Sequence, residues 1–305
     1  MRLGTIQQAD GSRAVIVGVS ETEAAVVEGF ADLGDLIEHP DGLALASKAK
    51  AQSGRISLDG VHWLPPLRRP GKILGVALNN SANPDRIMQG PSTPAMFVKP
   101  SSSLVGHGQP IRVKERYGRV HPEPELTVVI GTGGAELTID EAPGHVFGYT
   151  IMNDLTSPTM RGDDTFHYRA IHPDPDDPNG IRYVDSWVSY PARYKGADTF
   201  GPLGPWVVTT DEVPDPHALR IQCRHDGRVV TDDNTGNLRF SVAEVVSFTS
   251  QYLTLEPGDV IAMGTALRAS AKGGAVQNVD LVRLGGTVEV EIEGIGVLSN
   301  PVEHH

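Results

Sequence analysis

The sequence predicts a mostly β, α+β protein in which a β-rich body follows a small α+β unit. Two observations predict it. From Lys72 onward, short apolar runs are separated by Gly and Pro turns at intervals too small for repeated βαβ units. One segment there, 241–253, carries a helical stripe of Val242, Val245, Val246, Thr249 and Leu253, opened by Ser241 with Glu244 three residues on as a capping box.

Taken in order, 13–19 reads as a strand, 22–37 as a mixed helical stretch, 42–50 as an Ala-rich helix, and 56–63 as a strand running to Pro65-Pro66. The double proline stiffly ends that unit, so the expected domains are 1–66 and 67–303. His304 and His305 are set aside as a possible tag remnant and kept out of any metal argument.

Residues 126–130 form a β-branched apolar run that ends in Gly131-Thr-Gly-Gly and so read as a buried strand. That glycine cluster lacks the Lys-Ser/Thr and the following helix of a phosphate loop, and reads as a tight strand exit. A second apolar strand, 147–152, delivers Asn153 and Asp154 to its C-terminal end. The segment 156–191 is rich in His, Tyr, Asp and Pro, and its Pro/Asp stretch 172–180 fits neither a regular helix nor a central strand.

Composition narrows the function class. A formal charge of −12 argues against nucleic acid or a membrane surface as partner. The single cysteine, Cys223, excludes an internal disulfide and fits a reducing cytoplasm, where it reads as a small buried hydrophobe. The N-terminus lacks a basic-then-apolar signal, and no apolar run approaches a membrane span.

The chemistry points to carboxylates. On an extended chain Glu123 and Glu125 face the same side, and with Asp154 they form one facial set of hard oxygen ligands. Such a set selects Mg²⁺, Mn²⁺ or Ca²⁺, whereas Zn²⁺ more often recruits His or Cys. The alternative is a solvated strand edge plus a turn residue.

His121-Pro-Glu-Pro-Glu-Leu-Thr-Val-Val-Ile-Gly131, Phe147-Gly-Tyr-Thr-Ile-Met-Asn-Asp154, Gly201-Pro-Leu-Gly-Pro-Trp206 and Leu255-Glu-Pro-Gly-Asp-Val-Ile-Ala-Met-Gly-Thr265 follow in that order. Together they resemble the fumarylacetoacetate hydrolase (FAH) superfamily from about Lys72 to Pro301. The resemblance implies an FAH-like mixed β-sandwich roll beside the small N-terminal α+β domain, usually a homodimer. It implies a metal held by Glu123, Glu125 and Asp154, with Lys195 and Thr265 orienting a substrate anion. Lys99 matches a common lysine of the family, and Arg161 stands, with extra spacing, for the arginine after the Asn-Asp pair.

The chain departs from the family twice. Where FAH hydrolases place a His-x-x-Glu-like lid segment to activate water, it has Asn79-Asn-Ser-Ala-Asn-Pro-Asp-Arg86, in which Asp85 is the available carboxylate base. The long 156–191 segment is the second departure. Either it forms a lid from which His167 or His172 supplies a base, or it is an exposed dimer-contact loop with solvated histidines.

The expectation is therefore a cytoplasmic Mg²⁺- or Mn²⁺-dependent hydrolase that cleaves a C–C bond in a small acylpyruvate-like 2-oxo acid through an enolate, as in breakdown of aromatic compounds. A decarboxylase or isomerase of hydroxy-dienoates or oxaloacetate-like acids passes through the same enolate. A catalytically silent binder of metal and organic acid is the rival from another class.

Overall fold

The computed structural model describes residues 1–52, 54–81, 87–265, 268 and 275–305. A long mixed sheet forms its spine. Arg2–Gln7 pairs with Val207–Thr209, then come Val146–Asn153, Pro124–Ile130, Val260–Ala262, Ile73–Ala77 and Ala95–Val98. A second, five-stranded sheet, centred on Arg220–His225 and Thr287–Ile292, packs against it. Leu126, Val128 and Ile151 of the first sheet share one core with Ile221, Cys223, Val288 and Val290 of the second. This is the sheet-rich α+β body that the turn spacing predicts, in the sandwich form that the family resemblance implies.

The other face of the spine is covered too. Val129, Met152, Val207 and Val260 share a second core with Leu33, Leu36, Ala46 and Ala49, from the helices Leu33–Glu38 and Gly42–Ala51. A strand buried on both faces needs apolar residues at every position rather than at alternate ones. Pro124–Ile130 is accordingly buried throughout, which explains its unbroken Leu-Thr-Val-Val-Ile run.

Before Pro66 the chain is more β than its sequence suggests. Of the expected helical stretch 22–37, Glu23–Val27 is a strand, and the helix Leu33–Glu38 begins only after the N-cap Asp32. Arg2–Gln7, not anticipated, joins these N-terminal strands by hydrogen bonds to Val207–Thr209 of the body. The helix at Val242–Ser250 forms with the capping box in place, Ser241 and Glu244 bonding reciprocally. At the other end, the strand Gly296–His304 pairs His304 with Val113.

The segment after Asp154 is mostly regular structure rather than loop. A short helix, Pro158–Asp163, leads into Thr165–Pro173, which pairs antiparallel with Ile181–Ser189 as a separate two-stranded hairpin.

Candidate metal centre and active site

Two adjacent strands assemble the carboxylates. Pro124–Ile130 and Val146–Asn153 pair with Pro124 opposite Asn153, and the ladder continues beyond them. The Asp154 N–H donates to the Glu123 carbonyl (2.8 Å), and the Glu123 N–H donates to Asn153 Oδ1 (2.9 Å). His121 and Thr156 then exchange backbone bonds of 3.0 and 3.1 Å. This register brings carboxylate oxygens of Glu123, Glu125 and Asp154 within 4.8 Å of one another.

Three carboxylates this close repel one another unless cations intervene. Lys195 Nζ lies 2.5 Å from Glu123 Oε2 and 2.5 Å from Asp154 Oδ2. Lys99, wholly buried, contacts the other Asp154 oxygen at 2.6 Å and donates to the carbonyls of Lys195 and Phe200. The Phe97 ring lies 5.1 Å below Lys195 Nζ. A Cβ at Gly75 would stand 2.3 Å from that ring, so this glycine is what seats it.

These contacts divide the acids. Burial alone would raise Asp154, but Lys195 and Lys99 hold its carboxyl below the usual range. Glu125 has no lysine in contact, and burial, with Asp154 and Glu123 nearby, pushes it up to about 8. Burial would lower Lys195, but Asp154, Glu123 and Glu125 outweigh it and raise the ammonium. Glu125 Oε2 accepts the Gly264 N–H (2.9 Å). The Thr265 hydroxyl stands 2.9 Å from Glu125 Oε1 and 3.0 Å from Glu123 Oε2, and can donate to one of them at a time.

The donor set fits a hard divalent cation: three convergent carboxylates, one of which burial keeps protonated until a positive charge arrives. Glu123, Glu125 and Asp154 would hold it, and Lys195 competes for the same oxygens.

The centre opens into a cavity of about 520 Å³, a size suited to a small metabolite. Of the residues singled out in the sequence, Glu123, Glu125, Asp154, Lys195, Thr265 and Arg161 all line it. Lys99 lies beneath Asp154 and reaches the site only through that carboxylate. His167 and His172 do not join it. Both are exposed on the hairpin, where His167 stacks on Trp187 with ring centroids 4.0 Å apart. Asp85 lies outside the described residues.

The imidazole that does line the cavity is His121, buried and unassigned by sequence reasoning. Its signal was present: His121, Glu123 and Glu125 recur at every second position and so share one side of an extended chain. Its Nδ1 stands 3.2 Å from the Pro122 carbonyl. With Nδ1–H donated there, Nε2 carries the lone pair.

Asn79 also lines the cavity, and its amide is committed to backbone. It donates to the Met263 and Phe240 carbonyls (2.7 and 3.2 Å) and accepts the Phe240 N–H (2.7 Å). Behind it, buried Asp233 accepts from the side-chain amides of Asn80 (3.0 Å) and Asn237 (2.6 Å) and from the Arg268 N–H (3.4 Å). That carboxylate ties together the chain leaving Ile73–Ala77 and the chain leaving Val260–Ala262. Those two strands are parallel neighbours, so both exits lie at the same end of the sheet.

Residues 72–303 match the family described as fumarylacetoacetate (FAA) hydrolase, C-terminal. The chain belongs to that family. A mitochondrial oxaloacetate tautomerase of Xenopus laevis is 32% identical over 81% of this chain and 70% of its own length. Among solved structures, the 5-carboxymethyl-2-hydroxymuconate delta-isomerase of Mycobacterium smegmatis is 28% identical, with a TM-score of 0.71 over 100% of this chain and 99% of that one. The maleylpyruvate hydrolase of Sphingobium sp. SYK-6, in complex with manganese(II) and pyruvate, is 26% identical, with a TM-score of 0.73 over 100% and 99%. FAH-family membership thus covers hydrolase, isomerase and tautomerase chemistry on small organic acids. No helix among the described residues is long and apolar enough to cross a membrane.

Proposed function

We propose that the chain is a divalent-cation-dependent isomerase that interconverts the keto and enol forms of a small 2-oxo dicarboxylic acid. Asn79 carries this reading. It stands at the start of the segment that replaces the family's water-activating His-x-x-Glu, and a carboxamide, here held in place by backbone bonds, is not a base that takes a proton from water. Isomerisation needs no water: a proton leaves the carbon beside the carbonyl, and one is delivered to the carbonyl oxygen.

A cation bound by Glu123, Glu125 and Asp154 would supply Lewis acidity toward the substrate carbonyl. Lys195 stabilises negative charge developing there, and Arg161 at the cavity wall receives the distal carboxylate. His121 Nε2 takes the proton from carbon and returns it to oxygen.

Hydrolytic cleavage of an acylpyruvate-like C–C bond is the second reading, favoured by the likeness to the manganese- and pyruvate-bound maleylpyruvate hydrolase.

The test is to follow oxaloacetate tautomer exchange, and a panel of acylpyruvates, by NMR with Mg²⁺-loaded protein and with His121→Asn. Accelerated exchange, reduced about 100-fold or more in the variant, supports the isomerase. Pyruvate plus a second acid, without accelerated exchange, overturns it in favour of hydrolysis.

A further inference from the structure

Four buried polar side-chain atoms among the described residues have no hydrogen-bond partner, and Ser189 Oγ is the one whose residue lines the cavity beside Glu123, Glu125 and Asp154. A hydroxyl shut off from solvent and bonded to nothing weighs against the folded state, because the bonds it would make to water are not replaced. A group retained against that penalty needs a reason. Beside a cavity, the reason is a ligand that brings the missing acceptor.

Ser189 ends the strand Ile181–Ser189 and stands opposite Thr165. The Thr165 hydroxyl donates to the Arg161 carbonyl (2.7 Å), which ties this end of the hairpin to the helix Pro158–Asp163. Arg161 also lines the cavity and pairs with no acid among the described residues. Two residues after Ser189, the Pro191 carbonyl accepts the Lys195 N–H (3.0 Å) in the short helix Ala192–Gly196. Ser189 therefore lies on the stretch of chain that runs from Arg161 to the lysine bridging Glu123 and Asp154, and its register partner holds it at the Arg161 end.

We propose that Ser189 is a specificity-determining residue, whose hydroxyl turns onto the second carboxylate of a dicarboxylic acid while Arg161 supplies the balancing charge. A serine hydroxyl has three staggered wells, and no bond ties this one to the well it occupies. An ionised carboxylate has lone pairs for both donors, and a bond to it is stronger than one between neutral groups. An acid without the second carboxylate leaves Ser189 as unsatisfied as it is in the free protein. Discrimination then comes from a buried polar group that only the right ligand pairs. The substrate class rests on the keto–enol reading, but the choice between one carboxylate and two is a property of binding and is measured apart from turnover.

The experiment titrates Mg²⁺-loaded wild type and Ser189→Ala with malate and with lactate by calorimetry. Both acids carry a 2-hydroxycarboxylate that can chelate the cation, only malate has a second carboxylate, and neither enolises. Thermal unfolding of both proteins without ligand runs alongside. The expected result is a wild type that binds malate more tightly than lactate. The variant should lose about 10-fold in malate affinity, the order of a hydrogen bond to a charged group, keep its lactate affinity and unfold at a Tm no lower than wild type. A wild type that takes malate no more tightly than lactate overturns the proposal, as does a folded variant with unchanged malate affinity or with equal losses for both acids. A variant that unfolds at a lower temperature, or fails to fold, also overturns it by giving the hydroxyl a structural role. The expected malate preference without accelerated tautomer exchange would leave Ser189 in place and overturn the isomerase reading alone.

Discussion

Lys195 bridges Glu123 and Asp154, two of the three acids expected to hold a cation, at 2.5 Å from each. It is also the cation nearest the place where substrate charge would develop. Substituting it should therefore separate cation binding from turnover. In Lys195→Met a competitor for the carboxylates and a positive charge are both removed, so Mg²⁺ affinity should rise about 3-fold or more. Turnover should fall about 100-fold or more, because developing negative charge loses its nearest partner. Calorimetric titration and steady-state kinetics on one preparation check both. A parallel fall in affinity and turnover would show Lys195 to be part of the scaffold only.

Glu125 differs from its neighbours in having no lysine in contact, and burial pushes it up to about 8. At pH 7 its carboxyl keeps a proton that a cation must displace, so binding should release close to one proton. Above about pH 8 the acid is already ionised and the release should fade, with apparent affinity rising up to that pH and then levelling. Titration calorimetry in two buffers of different ionisation enthalpy measures the release. Glu125→Gln should abolish it and weaken Mg²⁺ binding by about 10- to 100-fold, an effect at least as large as losing an outer-shell partner of a metal ligand.

Asp32 provides a test away from the centre. It caps the helix Leu33–Glu38 by accepting the Gly34 N–H (2.9 Å), and burial, with Asp35 adding, pushes it from 3.8 up to about 6. A raised acid pKa means that the folded state binds the proton more tightly than the unfolded one. Its contribution is therefore favourable below about pH 4 and is lost as pH rises to about 6. Asp32→Asn keeps an oxygen for Gly34 but cannot ionise. The variant's Tm relative to wild type should climb between pH 4 and 7, and a constant difference across that range would refute the assignment.

Much of the site was legible because it rests on short-range rules. Period two alone placed Glu123 and Glu125 together, and apolar runs ending in Gly or Asn-Asp marked the two strands that bring Asp154 beside them. The same rule applied to His121 would have added the imidazole. Lys195 and Lys99 were found as residues, but their turning inward onto Asp154 depends on Phe97, Gly75 and the carbonyl of Phe200, which come together only in three dimensions. The strand Glu23–Val27 was missed for a related reason. It is almost wholly buried, so its Ala-Ala-Val-Val run shows no alternation to separate strand from helix. The hairpin is the opposite case: exposed on both faces, it keeps apolar residues on each, so no apolar/polar alternation marks its strands.

The seam between Arg2–Gln7 and Val207–Thr209 has a consequence for modularity. Val207–Thr209 lies directly beside the strand that ends in Asn153 and leads to Asp154, so removing the N-terminal strands would leave a raw sheet edge one strand from Asp154. The first 66 residues are thus less a bead on a string than a hem. Any lineage that exchanged them would have to offer a replacement strand in the same register, or else reseal the border of the catalytic sheet.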